Sequence, residues 1–559
     1  MQEASCSQSN CEGIVVAKFS GIASQLAETS SLDYPKSWTG QRGWMRVESI
    51  PVKGRQCRRK LPPRLYKLRG YGISNRVSCH SHNSNNLAIS VYQRVLTVCK
   101  GGQQVETCPP TEQFYRANFA PYVDELKRNS FVTSPVSRDV FCQRYIANGR
   151  RYRNYCRAVA NLERMENEGT LDLRKLSQLR NFVKVEKVTQ EKLEKAPRNI
   201  SPRSPEYNVL LGCYIAHLEK ALFRILERVC GFPVVFKGMN ASKQGEVLRH
   251  HWDSFVDPVA IDLDASRFDQ HQHVQSLKVE HEQWLRMVPQ DCRADLAKLL
   301  QCQLLNTGSA VFPQEGIRVK YQVKGTRASG DMNTSSGNCF TMVGLVFSYM
   351  HRRCKWRLAN NGDDCVLIIE RSDLNKISDL VPWFSEMGYT MESQGVVDIF
   401  ERISFCQTKP VWTPSGYKMV RNPATAIAKD IHSRCDLSRE DVFDLWTSCV
   451  GLGGLALAGD IPVYNQFYRT FPQKNSSANS QEIAAAVETG FYMLSKGMKY
   501  HCTDIQPRTR YSFWLAFGIT PLEQLVLEEH FSSVSVRFEQ PSRGQLNEGA
   551  SFDQLLCGV

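Results

Sequence analysis

The clearest alternation of apolar and polar positions in the 559-residue chain runs from Pro258 to Asp264. Val259, Ile261 and Leu263 fall on one side and Ala260, Asp262 and Asp264 on the other, the period-two pattern of a half-buried strand. Further along, an apolar approach (Trp356 to Ala359) and the run Cys365-Val366-Leu367-Ile368-Ile369 flank Gly362-Asp363-Asp364, which predicts a β-hairpin turning at the glycine. Between these elements, Thr334 and Asn338 head an apolar segment, Cys339 to Met350, at the spacing that shares one helix face. Helical patterns are also predicted from Leu210 to Cys230 and from His271 to Met287. From about residue 425 the pattern is mainly helical, over Glu440 to Ala456, Gln481 to Lys496 and Pro521 to Phe531, with Ser476 to Ser480 as a loop. Residues 1–50 show no clear period and are expected to be partly disordered.

This pattern puts carboxylates where stability does not ask for them. Asp262 and Asp264 project from one strand face, and Asp363 and Asp364 sit side by side at a turn. Like charges so close repel and resist desolvation, yet they make sense around a divalent cation. Mg²⁺ takes carboxylate oxygens and keeps places for water and substrate phosphates, which points to two-metal phosphoryl or nucleotidyl transfer. Asp269 has a plainer reading as a helix cap, and Thr334 with Asn338 as an ordinary first helical turn. Neither plain reading accounts for two acidic sites in one chain. Ser329-Gly330 reads as a loop that lets a ligand approach closely.

The order D-x4-D, then S-G-x3-T-x3-N, then G-D-D resembles the palm motifs of viral RNA-dependent RNA polymerases. Asp264 to His271, Asn360 to Cys365 and Ser404 to Gln407 narrow the resemblance to the replicases of tombusvirus-like plant plus-strand RNA viruses, a group that includes carmoviruses, umbraviruses and luteoviruses. It runs from Arg64 to Glu529, through Pro197 to Arg203, Phe236 to Asn240, Arg421 to Pro423 and Ala516 to Pro521. The resemblance implies an α+β right-hand polymerase with fingers, an antiparallel palm sheet and a mainly helical thumb. Residues 1–50 would be an N-terminal segment, 51–255 the N-terminal extension and fingers, 256–424 the palm with an inserted fingers element, and 425–559 the thumb.

The same resemblance implies roles. Asp264 and Asp363, assisted by Asp364, would hold two Mg²⁺ or Mn²⁺ ions. Asp269 and Asn338, with Thr334 and the Ser329-Gly330 loop, would bind the incoming nucleotide and its 2′-hydroxyl. Arg198 and Arg203 each follow a proline that fixes where the guanidinium points, and with Lys184 and Lys187 they would meet the triphosphate. Lys192 and Lys195, interleaved with Glu191 and Glu194, read as solvated. The segment carrying Cys406, Gln407 and Lys409 resembles the hairpin that grips the growing RNA 3′ end. With no histidine near it in sequence, Cys406 reads as a small buried side chain rather than a nucleophile. Met391-Glu392-Ser393 stands where related enzymes often carry a lysine that protonates pyrophosphate, so the proton donor is unassigned. Asp262 receives no role.

Composition changes the picture only a little. Seventy Lys and Arg against 56 Asp and Glu give a net charge of +14, which favours a polyanionic partner. A hydrophobic share of 42% and a charged share of 23% are ordinary for a globular protein and exclude a low-complexity or fibrous chain. The 20 cysteines form no C-x2-C pair, and Cys79-His80-Ser81-His82 lacks a second half at zinc-ligand spacing. No leader pattern opens the chain, so the thiols are expected to be reduced, and no apolar run is long enough to span a bilayer. The basic stretch from Arg55 to Arg76, with Tyr66 and Tyr71, reads either as an RNA-contact strip or as a solvated arm. The resemblance adds RNA template and product, NTPs, a viral accessory replication protein and, through it, host membranes as partners, with work in cytoplasmic membrane-associated replication complexes. Two rivals stand beside it: a reverse transcriptase-like palm polymerase, against which Gly362 and the Asp269/Asn338 pair argue, and a non-catalytic RNA-binding replication factor, for which charge alone suffices.

Overall fold

The computed structural model describes residues 15–18, 24–25, 32–52, 64–73, 77–472, 495–498 and 504–538. The loop expected at 476–480, most of the helix expected after Gln481 and the basic run 55–63 lie outside them. In chain order, the strands of the two main sheets are β1 (Ser37–Thr39), β2 (Gly43–Ser49), β3 (Leu179–Arg180), β4 (Pro258–Ala265), β5 (Leu305–Phe312), β6 (Ile317–Lys324), β7 (Trp356–Asn361), β8 (Asp364–Glu370) and β9 (Met391–Val397). The helices that position the site are α1 (Ser84–Val91), α2 (Glu112–Asn129), α3 (Pro205–Ile215), α4 (Glu219–Cys230), α5 (Ala241–Trp252), α6 (Val274–Arg286), α7 (Thr334–Met350) and α8 (Glu440–Ala458).

The central sheet has the order β7-β8-β4-β9 and is antiparallel throughout. Its two faces meet two different cores. Val259, Ile261 and Leu263 of β4, with Cys365, Leu367 and Ile369 of β8, pack in one cluster with residues of α2, α4 and α7. Ala260, Val366 and Ile368 on the opposite face pack in another with Phe236, residues of α5 and the C-terminal helices. That double burial explains why β8 reads as an uninterrupted apolar run rather than an alternating one. The face that carries Ala260 at one end carries Asp262 and Asp264 at the other.

The second sheet has the order β1-β2-β6-β5-β3. Its inner face (Met45, Val319, Tyr321 and Val323) packs on α1. Residues 32–50, expected to be partly disordered, thus supply two strands of this sheet. A stretch flanked by chain with no period shows its own alternation only once β6 is there to pair with it.

The same N-terminal region also reaches the C-terminal helices. The strand Arg64–Lys67 pairs with His432–Ser433, and Leu68 N donates to Ile431 O at 2.9 Å. Tyr71 is fully buried against Phe467, Phe471 and Phe531, its hydroxyl 2.6 Å from Thr470 Oγ1. Tyr71 therefore serves the core and is not an exposed RNA contact. Val15–Lys18 pairs in parallel with Val534–Arg537.

Other expectations shift at element ends. The helical stretch from Leu210 divides into α3 and α4, and α6 begins at Val274 behind a His273 cap whose Nδ1 accepts from Ser276 N. Asp269 caps nothing there. Among the described residues α8 is the one helix long and apolar enough to cross a membrane, yet Phe443, Trp446, Val450 and Leu455 bury it in the C-terminal core. Removing the buried ring with Tyr71→Ala is expected to cost about 3–5 kcal/mol, read as a lower midpoint in thermal unfolding of the full chain.

Candidate active site

The turn between β7 and β8 is two residues long, Gly362-Asp363. Gly362 has φ +94°, the left-handed region that the first central position of a type II′ hairpin turn requires. Buried Asn360 brackets the turn: its Nδ2 donates to Gly362 O at 2.8 Å, and Gly362 N donates to its Oδ1 at 3.2 Å. Lys237 lies alongside, its Nζ donating to Asn361 O at 3.4 Å.

Register then does the rest. Asp264 pairs directly with Asp364 of β8 and with Glu392 of β9, so three carboxylates stand in one row on one face of the sheet. Directly opposed residues in such a ladder have Cα atoms about 5 Å apart. Asp262 lies two residues back on the same face and Asp363 at the turn. Among the described residues none of Asp262, Asp264, Asp363 and Asp364 has an ion-pair partner. Partial burial first, and then Asp264 and Asp364, push the Asp262 carboxyl up to about 6. Partial burial and the neighbouring Asp363 and Asp264 push Asp364 to about 6 as well. Asp264 is raised by burial, Glu392 and Asp363. These are hard oxygen donors, close together and short of positive charge, and they fit divalent cations. Among the described residues no three ligating side chains already converge on one point. An ion such as Mg²⁺, bound through one or two carboxylates, completes its shell with water and phosphate oxygens.

Asp269 and Asn338 are brought together. Asn338 Nδ2 donates to Asp269 Oδ1 at 2.7 Å, and among the described residues the buried Asn338 Oδ1 accepts nothing. Burial and the Asp363 charge raise the Asp269 carboxyl against the lowering effect of Asn338. Arg327 N donates to Asp269 O at 2.8 Å, and the Arg327 side chain is locked in a buried ion pair with Glu280. Thr334 and Ser329 spend their hydroxyls on the loop itself: Thr334 Oγ1 donates to Ala328 O and Ser329 Oγ to Asn199 O, each at 2.7 Å. Gly330 is required for a different close approach than expected, since a Cβ there would lie 2.6 Å from Pro202 N.

Of the expected phosphate ligands, Arg203 is turned into the protein and Lys187 is partly committed to it. Arg203 is buried, its Nε 2.5 Å from Asp331 Oδ1, and it donates to Ser177 O and Asn306 Oδ1 at 2.6 Å each. Lys187 donates to the carbonyls of Lys429 and His432 at 2.7 and 2.9 Å, and burial lowers its pKa. Arg203 is taken up by protein atoms, whereas Lys187 spends two of its three N–H groups on those carbonyls and still lines the cleft that holds Lys192, Lys195 and Arg198. Lys184 and Arg198 share Glu186, at 2.7 and 3.5 Å, and keep solvent access. Arg198 lines a cleft with Arg94, Arg267, Asp269 and Asp363. Lys192 and Lys195, expected to be merely solvated, line an adjoining cationic cleft with Arg198, Lys429 and Gln407, and their charges act on Asp264.

Cys406 and Gln407 form the turn of a further hairpin, both with positive φ (52° and 61°). The Cys406 thiol, pushed up to about 12 by burial and by Asp364, stays protonated and donates to Asp364 while its Sγ accepts from Asn361. It is a neutral donor at the acidic row, not a nucleophile. Gln407 is exposed, and Lys409 is half-buried at the start of the following strand. Arg94, Arg267, Lys237, Asn360 and Glu392 received no role from the sequence. Glu392 shows as the acidic residue where a lysine was sought, and the other four carry no local signal.

A family model described as viral RNA-dependent RNA polymerase matches residues 52–539. The chain belongs to that family. It is 36% identical over 518 residues to the RNA-directed RNA polymerase of Tobacco necrosis virus (strain D), covering 91% of this chain and 69% of the relative. It is 39% identical over 468 residues to that of Tobacco necrosis virus (strain A), covering 83% and 63%. The polymerase of Cymbidium ringspot virus is 37% identical over 468 residues, covering 83% and 55%. The chain therefore spans between about half and two-thirds of these relatives' lengths. The family span includes the acidic row, the Asp269–Asn338 pair and the Arg203–Asp331 lock, whereas β1 and β2 precede it. Replacing Arg203 with Met leaves Asp331 buried without its partner. The expected loss is about 3–5 kcal/mol, seen as a lower urea midpoint, and Arg203→Lys should recover little of it because the contact is bidentate.

Proposed function

We propose that the protein is a viral RNA-directed RNA polymerase that builds RNA from NTPs on an RNA template. The observation that carries this reading is that Asp264, Asp363 and Asp364 gather at one end of the central sheet beside the Asp269–Asn338 pair. On this reading the central sheet is the palm, the β1-β2-β6-β5-β3 sheet belongs to the fingers, and the helices after residue 425 form the thumb of a right hand. Asp264, Asp363 and Asp364 would hold Mg²⁺ or Mn²⁺, which would activate the RNA 3′-hydroxyl and stabilise the leaving pyrophosphate.

The protein's own residues then position and select. Asn338 Oδ1, buried and without a partner among the described residues, would accept from the 2′-hydroxyl of an incoming ribonucleotide, with Asp269 holding the Asn338 amide in that orientation. A deoxyribonucleotide leaves that acceptor unsatisfied, which is the basis of rejection. Arg198, Lys192 and Lys195 face the triphosphate side of the cleft and offset its charge. Lys192 and Lys195, whose charges reach Asp264, stand in for the lysine missing at Glu392. Cys406 and Gln407, at the rim of the acidic row, would steady the growing 3′ end. The resemblance to tombusvirus-like replicases further supports replication of a plus-strand genome in cytoplasmic membrane-associated complexes beside a viral accessory protein.

Purified protein with Mg²⁺, a single-stranded RNA template and labelled NTPs is expected to give template-length product. The Asp363→Asn/Asp364→Asn variant should fall by about a thousandfold or more while binding RNA as before. No product from either protein, with RNA bound equally by both, would sink the reading in favour of a binding factor. Asn338→Ala is expected to shrink the preference for ribo- over deoxyribonucleotides by about 10- to 100-fold, the value of one buried polar contact. The check is the ratio of kcat/KM for the two nucleotide classes.

A further inference from the structure

The β1-β2-β6-β5-β3 sheet has a second face, turned to solvent. The alternation that sends Met45, Val319 and Tyr321 inward sends every second residue outward. Register aligns Ser37, Arg46, Lys320, Ser309 and Arg180 in one row, one residue from each of the five strands. A second row runs Thr39, Trp44, Gln322 and Thr307, and Arg318 and Lys324 flank the two on β6.

This face is poorly explained by stability. Arg46 and Lys320 stand directly opposite each other, an arrangement of like charges that destabilises a sheet. Glu48 is the one carboxylate on the face among these strands, and it is 3.0 Å from Lys320. Arg46, Arg180 and Arg318 have no ion-pair partner among the described residues. Trp44 is half-buried, with the Arg46 guanidinium 5.7 Å from its ring centroid. At the β5 side the face opens into a groove lined by Arg174, Gln178, Gln301, Thr307 and Gln322.

We propose that this face is a binding site for single-stranded RNA, outside the catalytic cleft. The cationic row crosses four strand spacings, about 19 Å, and offers Arg, Lys and Ser donors to a phosphodiester backbone. Trp44 offers a stacking surface for a base. A positive track with an interleaved aromatic is the general solution for holding a single strand without reading its sequence. The two strands that carry Arg46 and Trp44 precede the family-matched span 52–539, while the other three lie within it, so the family match does not account for the face as a whole. The choice of RNA as the polyanion rests on the polymerase reading, but the binding itself does not depend on catalysis.

The test is fluorescence anisotropy of the full chain with a labelled 30-nucleotide RNA across a range of salt, comparing wild type with Arg46→Ala/Arg180→Ala/Arg318→Ala. The expected result is at least about tenfold weaker binding. The slope of log K against log salt should fall by about two, at roughly 0.7 for each phosphate that no longer meets a guanidinium. Trp44→Ala should weaken binding with the slope unchanged. Nucleotide incorporation at saturating template should match wild type in the triple variant, and its melting temperature should not fall, because a like-charge repulsion has been removed. An unchanged Kd and slope would overturn the proposal. So would binding of the wild type to phosphatidylserine vesicles that the triple variant loses while its RNA affinity stays intact, which would make the face a membrane contact. If wild type incorporates no nucleotide yet the triple variant still loses RNA affinity, the polymerase reading fails and the RNA-binding face stands.

Discussion

Everything at the catalytic cleft hangs on the register between β4 and β8. Because side chains alternate with period two, a slip of one residue would turn Asp262 and Asp264 into the core and bring Val259, Ile261 and Leu263 to the cleft. The slip is resisted from both sides at once. β8 is buried on both faces, so neither of its two apolar sets can be exchanged for the other without moving a carboxylate indoors. The sheet thereby holds a row of repelling acids that no local contact would assemble. Stability resides in the apolar end of each strand and chemistry in the acidic end, a few residues apart on the same backbone.

Two buried ion pairs extend that order to the nucleotide side. Arg203–Asp331 and Arg327–Glu280 are almost wholly excluded from water, and both touch the segment from Thr326 to Asn338. A buried pair of this kind contributes little net stability but makes any alternative loop geometry expensive, since each charge is stranded if its partner moves. Asn338 and Asp269 can leave one acceptor unsatisfied because everything around them is pinned. The loop's serine and threonine hydroxyls, its glycine and its aspartate all serve the same immobilisation.

The acidic sites, the hairpin turn and the α7 face were legible in the sequence because each is local: alternation, a turn residue and a four-residue spacing. The basic residues were not. A guanidinium after a proline looks the same whether it lines an open cleft, as Arg198 does, or meets a buried aspartate 128 positions away, as Arg203 does. Lys187 and Lys195 differ only in which of them finds carbonyls to bind. The N-terminal strands were invisible for a related reason, since the alternation of β2 means nothing until β6 lies beside it. Long-range pairing, not composition, decides these cases.

The pairing of the chain's two ends has a consequence for how the molecule is made. Residues near the N-terminus emerge from the ribosome first, yet Tyr71 needs Thr470 and Phe531, and Val15–Lys18 needs Val534–Arg537. At about 5–20 residues per second, their partners appear only after roughly half a minute to two minutes of synthesis. During that interval the apolar face of Leu65, Leu68 and Tyr71 lacks the C-terminal residues it is buried against. The core around Tyr71 is therefore closed only when residues 467–531 have been made.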